Sequence, residues 1–205
     1  MKLFRALAVA LLLMLPSFSC LAGEPAQEQS PEMPIGGTDG TIHVGDMAPD
    51  FHLTTLNGKP MALSEFGKNR ITLIVFWSYF CFPCQAEMPE LQAFYEEVGQ
   101  EVAMATIALD GHQYDNYILP FIADKKLTIP IAYDRETDKF YETAEKYGVL
   151  GTPTLFLLDD TGRIRFINLG RMDKSVLKSM IQSVKSKSFC SDIVKPPVGD
   201  RKQAK

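Results

Sequence analysis

A chain of 205 residues, 46% hydrophobic and 22% charged, has the composition of an ordinary globular protein and is long enough to bury one real core. Its net charge of −4 supplies no basic field, which excludes a nucleic-acid partner. No internal repeat is visible, and after the N-terminus no apolar run is long enough to span a bilayer.

Lys2 and Arg5 precede an apolar run from Ala6 to Leu15, and small residues follow through Ala22. That is the three-part layout of a secretory signal peptide over residues 1–22, and it predicts export. Cys20 and Ala22 are small enough for cleavage just after Ala22. The alternative is a lipid anchor at Cys20, although Ser17–Phe18–Ser19–Cys20 resembles a lipoprotein box poorly. The expected location is therefore periplasmic, or membrane-anchored and facing the extracytoplasmic side, where a disulfide is chemically permitted. Residues 23–42 are rich in Pro, Gln, Glu and Gly without Lys or Arg, and read as a flexible linker.

A folded domain is expected over residues 43–188. Ala48 to Leu53, followed by Asn57–Gly58–Lys59–Pro60, predicts a short hairpin with an Asn-Gly turn. Ile71 to Phe76 is apolar on both faces, as a strand buried between helical layers must be. After Cys81, Pro83 suits the first turn of a helix, where its missing N–H costs nothing. That helix runs to about Val98 and ends at Gly99, with a kink expected at Pro89.

Val102 to Leu109 is a second buried strand. Tyr114 to Lys126 reads as a helix interrupted or kinked near Pro120, Ile129 to Tyr133 as a short strand, and Lys139 to Tyr147 as a helix ended by Gly148. Thr154 to Leu158 and Ile164 to Leu169 are strands joined by the turn Asp159–Asp160–Thr161–Gly162. A last helix starts at Asp173 as N-cap, with Val176, Leu177, Met180, Ile181 and Val184 on one face and Lys185 and Lys187 toward its C-terminal end. Residues 189–205 read as a flexible tail, with Cys190 a leftover thiol. Strands alternating with helices, then a closing hairpin and helix, argue for an α/β sandwich around a mixed sheet.

The chemistry-bearing stretch is Phe76–Trp77 followed by Cys81–Phe82–Pro83–Cys84. Two cysteines two residues apart, at the turn from strand to helix, are placed for redox chemistry. Cys81 would sit at or just before the first helical turn, where unpaired N–H groups and the dipole favour a thiolate. Cys84 lies inside the helix, close enough to close a small disulfide ring.

Together with Gly148–Val149–Leu150–Gly151–Thr152–Pro153–Thr154, this stretch closely resembles the thioredoxin fold, and within it the exported TlpA/ResA-like thiol-disulfide oxidoreductases. The match covers about Val44 to Lys187. The resemblance implies a thioredoxin-like α/β fold with a central mixed sheet flanked by helices, an N-terminal hairpin and a central αβ insertion over Tyr114 to Tyr133. It makes Cys81 the nucleophile, Cys84 the resolving thiol and Pro153 a cis-proline facing their disulfide. Trp77, Phe82, Pro83, Thr152 and Pro153 become the residues expected to bind substrate, with the Thr152 backbone pairing with an extended chain.

Thioredoxin itself carries a buried Asp where this chain has Val75. Glu87, three residues after Cys84 on the same helix face, is the expected replacement as proton acceptor, because the ResA-like branch has a Glu at the matching place. The competing expectation for Glu87 is a solvated helix carboxylate. Implied partners are protein disulfide substrates, apocytochrome c among them, and a membrane thiol electron donor.

No cofactor or metal is expected. Structural zinc would want four ligands, and a c-type haem site would want His where Gln85 stands. A peroxiredoxin would want Pro and Thr where Ile74 and Ser78 stand. Two alternatives share the cysteine pair: a disulfide oxidase or isomerase, and a copper-binding thioredoxin-like module. The copper module needs a distant histidine as ligand, and the three available are His43, His52 and His112.

Overall fold

In a computed structural model of the chain, residues 42–99, 101–138 and 140–190 are described, 187–190 by backbone alone. The expected signal peptide, Cys20 and the linker through residue 41 lie outside the described residues, as do residues 191–205 of the expected tail.

In chain order the elements are β1 (His52–Thr54), β2 (Pro60–Ala62), α1 (Leu63–Phe66), β3 (Ile71–Trp77), α2 (Phe82–Val98), β4 (Val102–Ala108) and a 3-10 turn at His112–Tyr114. There follow α3 (Asp115–Asp124), β5 (Ile131–Tyr133), α4 (Glu142–Lys146), β6 (Thr154–Leu158), β7 (Ile164–Leu169) and α5 (Lys174–Cys190).

β3 and β4 carry no charged residue, and all seven residues of each are buried. Strands of that kind are stable only where both faces are covered. They form the centre of a five-stranded sheet of order β5-β4-β3-β6-β7. β3, β4 and β5 run parallel, while β6 is antiparallel to β3 and β7 antiparallel to β6. This is the thioredoxin-like architecture, a central mixed sheet between helical layers with a separate two-stranded β1–β2 sheet at the N-terminus.

Strand alternation sorts the core in two. Leu73, Val75, Trp77, Leu155 and Leu157 face Met88, Leu91 and Phe94 of α2, Ile118 of α3, and Leu177, Ile181 and Val184 of α5. Ile74, Phe76, Phe156 and Leu158 pack instead with Ala144 and Tyr147 and with Phe51, Met61 and Leu63 of the N-terminal segment. That segment also occupies both sheet edges, which would otherwise offer unpaired backbone. Gly45 N–H donates to the Ile164 carbonyl (2.8 Å) beside β7, and Leu56 N–H donates to the Ile131 carbonyl (2.8 Å) beside β5.

Several elements are shorter or later than the sequence pattern predicts, and the backbone bonds explain why. The hairpin's first strand starts at His52 and not at Ala48, because Ala48 N–H donates to the Gly162 carbonyl and Pro49 has no N–H to give. β5 starts at Ile131 and not at Ile129, because the N–H groups of Thr128 and Ile129 are taken by the Gln92 side chain, at 2.7 and 3.0 Å. α4 starts at Glu142, since Tyr141 is extended and bridges Glu136. The Asp134 carboxylate then receives the Thr143 and Ala144 N–H groups (3.0 and 2.8 Å), capping α4 from outside the helix. α2 and α3 continue through Pro89 and Pro120 without a break. The last helix runs on to Cys190, two residues past the boundary expected at residue 188.

Tyr147, fully buried, joins the second core to the N-terminal segment. Its ring meets Phe156 edge-on at 4.9 Å, and its hydroxyl donates to the Pro49 carbonyl at 2.7 Å. Tyr147→Phe keeps the packing and removes the only polar part of that link. It is expected to lower stability by about 1–2 kcal/mol in urea unfolding, with the slope unchanged. No loss would mean that the Pro49 carbonyl is served equally well by water.

Candidate active site

The chain leaves β3 at Trp77 and enters α2 at Phe82, so four residues turn it at the C-terminal end of the central strand. Cys81 is the N-cap: its backbone is extended (φ −90°, ψ 104°) and its Sγ accepts the Cys84 N–H at 3.2 Å. Pro83 stands in the first turn, where no intrahelical N–H is needed. Cys81 and Cys84 are joined in a disulfide with Cα atoms 5.2 Å apart. The two sulfurs differ in access, Cys81 being half-buried and Cys84 1% exposed. In the reduced state the helix N-terminus and the Cys84 N–H favour a thiolate on the accessible sulfur.

An opposing contact comes from the loop that leads into β6, the other neighbour of β3. The Thr152–Pro153 peptide is cis, Pro153 is buried, and the Thr152 carbonyl oxygen lies 3.3 Å from Cys81 Sγ. A reduced Cys81 thiol would donate to that oxygen, which favours the protonated form. The sulfur thus sits between a donor that stabilises its charged form and an acceptor that stabilises its neutral one. Thr154 hydroxyl, donating to the Gly151 carbonyl (2.6 Å), and Gly170 N–H, donating to the Pro153 carbonyl (2.7 Å), tie this loop down.

Glu87 is 1% exposed and so is not a solvated helix carboxylate. Its Oε1 accepts the Met172 N–H at 2.9 Å, while its Oε2 is buried without a hydrogen-bond partner. Burial pushes its pKa up to about 7; the Met172 N–H and the Arg171 guanidinium hold it back, and Glu90 adds to the rise. Val75, where thioredoxin has its acid, is an apolar member of the same buried cluster as Cys84.

Trp77, expected to contact substrate, is fully buried, so a chain docking on this surface does not reach its ring. It belongs to the same core cluster as Cys84 and packs against Phe121 at 6.1 Å. Phe82 is 82% exposed, and Pro83 and Phe80 are exposed beside it. With Tyr114 and Tyr117 from the start of the insertion, Phe80 forms a set of edge-to-face ring contacts at 4.9 and 6.3 Å. The histidines stand beside Asp46, Asp50 and Asp115, and among the described residues no group of three His, Cys, Asp or Glu side chains forms a metal set.

Sequence pattern missed Asp110. This 2%-exposed carboxylate accepts from the Ser78 hydroxyl and the Tyr79 N–H, both at 2.8 Å. Its one sequence signal was an acid directly after an otherwise apolar strand, which reads equally well as a loop residue.

Residues 44–167 match the family model described as the AhpC/TSA family. The chain is 34% identical over 146 residues to the thiol-disulfide oxidoreductase ResA of Bacillus thuringiensis subsp. konkukian, covering 70% of this chain and 79% of that one. Among solved structures it is similar to StoA from Bacillus subtilis (TM-score 0.55, 28% identity, 65% of this chain and 97% of that one). It is also similar to a thiol-disulfide oxidoreductase from Bacteroides fragilis (TM-score 0.58, 27% identity, 68% and 99%).

A buried carboxyl whose pKa is raised binds its proton more tightly folded than unfolded. Its contribution to stability is therefore full below its ordinary range, near pH 4.5, and is lost as pH rises through about 7. Glu87 should cost the oxidised protein on the order of 2–3 kcal/mol across that window, and Glu87→Gln should flatten this part of the stability profile. An unchanged profile in the variant would show that Glu87 is not the group titrating.

Proposed function

We propose that this chain, which belongs to the AhpC/TSA family and to the ResA-like thiol-disulfide oxidoreductases, reduces disulfides of exported proteins through Cys81 and Cys84. The observation that carries the reading is the unequal pair: a half-buried Cys81 sulfur at a helix N-terminus, bonded to a fully buried Cys84.

In the reduced protein the Cys81 thiolate attacks one sulfur of a substrate disulfide. The substrate S–S bond breaks, its other sulfur leaves as a thiolate that takes a proton from solvent, and a mixed disulfide links Cys81 to the substrate. Cys84 then loses its proton, attacks the Cys81 sulfur and expels the substrate's second sulfur as a thiolate, which also takes a proton from solvent. The products are a substrate dithiol and the Cys81–Cys84 disulfide, two electrons having passed to the substrate. Glu87, one helical turn beyond Cys84, receives the Cys84 proton. A carboxyl poised near 7 is ionised enough to accept at neutral pH and basic enough to drive the transfer. Exposed Phe82 and Pro83 beside Cys81, and Thr152, whose carbonyl oxygen lies 3.3 Å from the Cys81 sulfur, are the residues proposed to receive the substrate chain, with Pro153 buried next to Thr152.

The signal-peptide pattern of residues 1–22 supports an extracytoplasmic site of action, reached by cleavage after Ala22 or, as the alternative, with a lipid anchor at Cys20. A membrane thiol donor then returns the pair to the dithiol form. Apocytochrome c, whose cysteines must be reduced before haem attachment, is the proposed substrate.

The direction of electron flow is tested by the reduction potential of the Cys81–Cys84 couple in glutathione or dithiothreitol buffers. A reductase is expected near or below roughly −250 mV, on the thioredoxin side of the scale. A value of about −120 to −180 mV would make the chain an oxidant or isomerase and remove the cytochrome role.

A further inference from the structure

The turn that delivers Cys81 to the head of α2 is held from the end of the neighbouring strand by a buried carboxylate with no part in the exchange chemistry above. Asp110 lies just beyond β4. One of its oxygens accepts the Ser78 hydroxyl and the other the Tyr79 N–H, from residues 32 and 31 positions away, each at 2.8 Å. Ser78 is the relay. Its Oγ also accepts the Phe80 N–H at 3.1 Å, and its carbonyl accepts the Cys81 N–H at 3.2 Å. Two hydrogen bonds therefore connect Asp110 to the Ser78–Tyr79 turn, and one more connects that turn to the backbone of Cys81.

The same clamp fixes the neighbouring rings, since Tyr79 stacks on Tyr117 at 6.0 Å and meets Phe121 edge-on at 5.7 Å. Burial raises the Asp110 pKa, while the Tyr79 N–H and Ser78 hydroxyl hold it down. Burial pushes the Tyr133 and Tyr141 hydroxyls up from their ordinary range, Asp115 and Glu136 respectively add to the rise, and the charge of Asp110 contributes less.

We propose that Asp110 is a positioning residue for thiol-disulfide exchange: by clamping the Ser78–Phe80 turn it holds the Cys81 sulfur where the Cys84 N–H and the N-terminus of α2 reach it. A carboxylate this close to the active-site turn also acts through its charge, and the two effects have opposite signs at Cys81. A negative charge nearby disfavours the thiolate, whereas correct placement at the N-cap favours it. Removing the charge lowers the Cys81 pKa if charge is what matters, and raises it if placement is what matters.

Two variants separate these effects. Asp110→Ala removes the charge and both clamping bonds at once, so the direction in which the Cys81 pKa moves shows which of the two matters more. Ser78→Ala keeps the carboxylate and removes one of the two clamping bonds; it trims only a hydroxyl on a half-buried residue, so it guards against a folding defect in the first variant. The measurement is the pH dependence of Cys81 alkylation by iodoacetamide in the reduced full chain, resolved from the other cysteines by peptide mapping.

Both variants should move the Cys81 midpoint to higher pH and slow alkylation below it by roughly threefold or more, with Ser78→Ala the smaller effect. A shift to lower pH in Asp110→Ala, or an unmoved midpoint in Ser78→Ala, overturns the proposal. It rests on Cys81 being the attacking thiol. Faster alkylation of Cys84 in the unaltered protein would defeat that reading, and the proposal with it, before either variant is compared.

Discussion

A single contact organises the working end of this protein: the Cys84 N–H donated to the Cys81 sulfur at the first turn of α2. It needs a strand that stops at one place, a turn of fixed length and a helix that starts with a free N–H pointing back. β3 meets the first demand because all seven of its residues pair with β4 on one side, and Thr72 to Phe76 pair with β6 on the other. Pro83 helps with the last, because it enters the helix without needing a partner for an N–H it lacks. Between them the turn is held by Asp110, so the position of one sulfur depends on a residue at the end of the neighbouring strand.

The same arrangement makes the two cysteines unequal. An N-cap residue lies at the helix end and remains partly open, while a residue three positions on points down the helix face into the sheet. That face is lined by Met88, Leu91 and Phe94 and is covered by α5, so Cys84 shares its surroundings with the first core. Glu87 follows on that face and is buried with it, held by a single N–H from Met172 in the loop before α5. An ionisable group kept in such a place at a cost to stability is a candidate for chemistry. Here the one cation that lowers its pKa, Arg171, is itself paired to Glu90 at 2.8 Å.

Much of this was legible in the amino-acid pattern, and what was not has a common cause. The two central strands announce themselves as uncharged apolar runs, and the Cys81–Phe82–Pro83–Cys84 stretch marks the strand-to-helix turn by its residue types alone. The cis bond before Pro153 came from the resemblance, since spacing alone would favour trans. The features that escaped are side chains acting over long sequence distances. Gln92 takes the N–H groups of Thr128 and Ile129 and delays β5. Asp134 caps α4 from outside it, and Asp110 clamps a turn 31 residues upstream. α1, four residues long, is too short to leave a periodic signal. The exposure of Glu87 was open in the sequence because a helix position fixes the face, and only α5 and its preceding loop decide whether that face sees water.

The division of labour between the two sulfurs is tested most directly by trapping. Full-length Cys84→Ser and Cys81→Ser variants, reduced and mixed with a disulfide-bonded protein substrate, are separated without reductant and the linked cysteine is mapped by mass spectrometry. Cys84→Ser should accumulate a mixed disulfide through Cys81 and turn over no further, and Cys81→Ser should form essentially none. Accumulation through Cys84 in the Cys81→Ser variant, at a rate matching the first, would contradict the assignment of Cys81 as the attacking thiol.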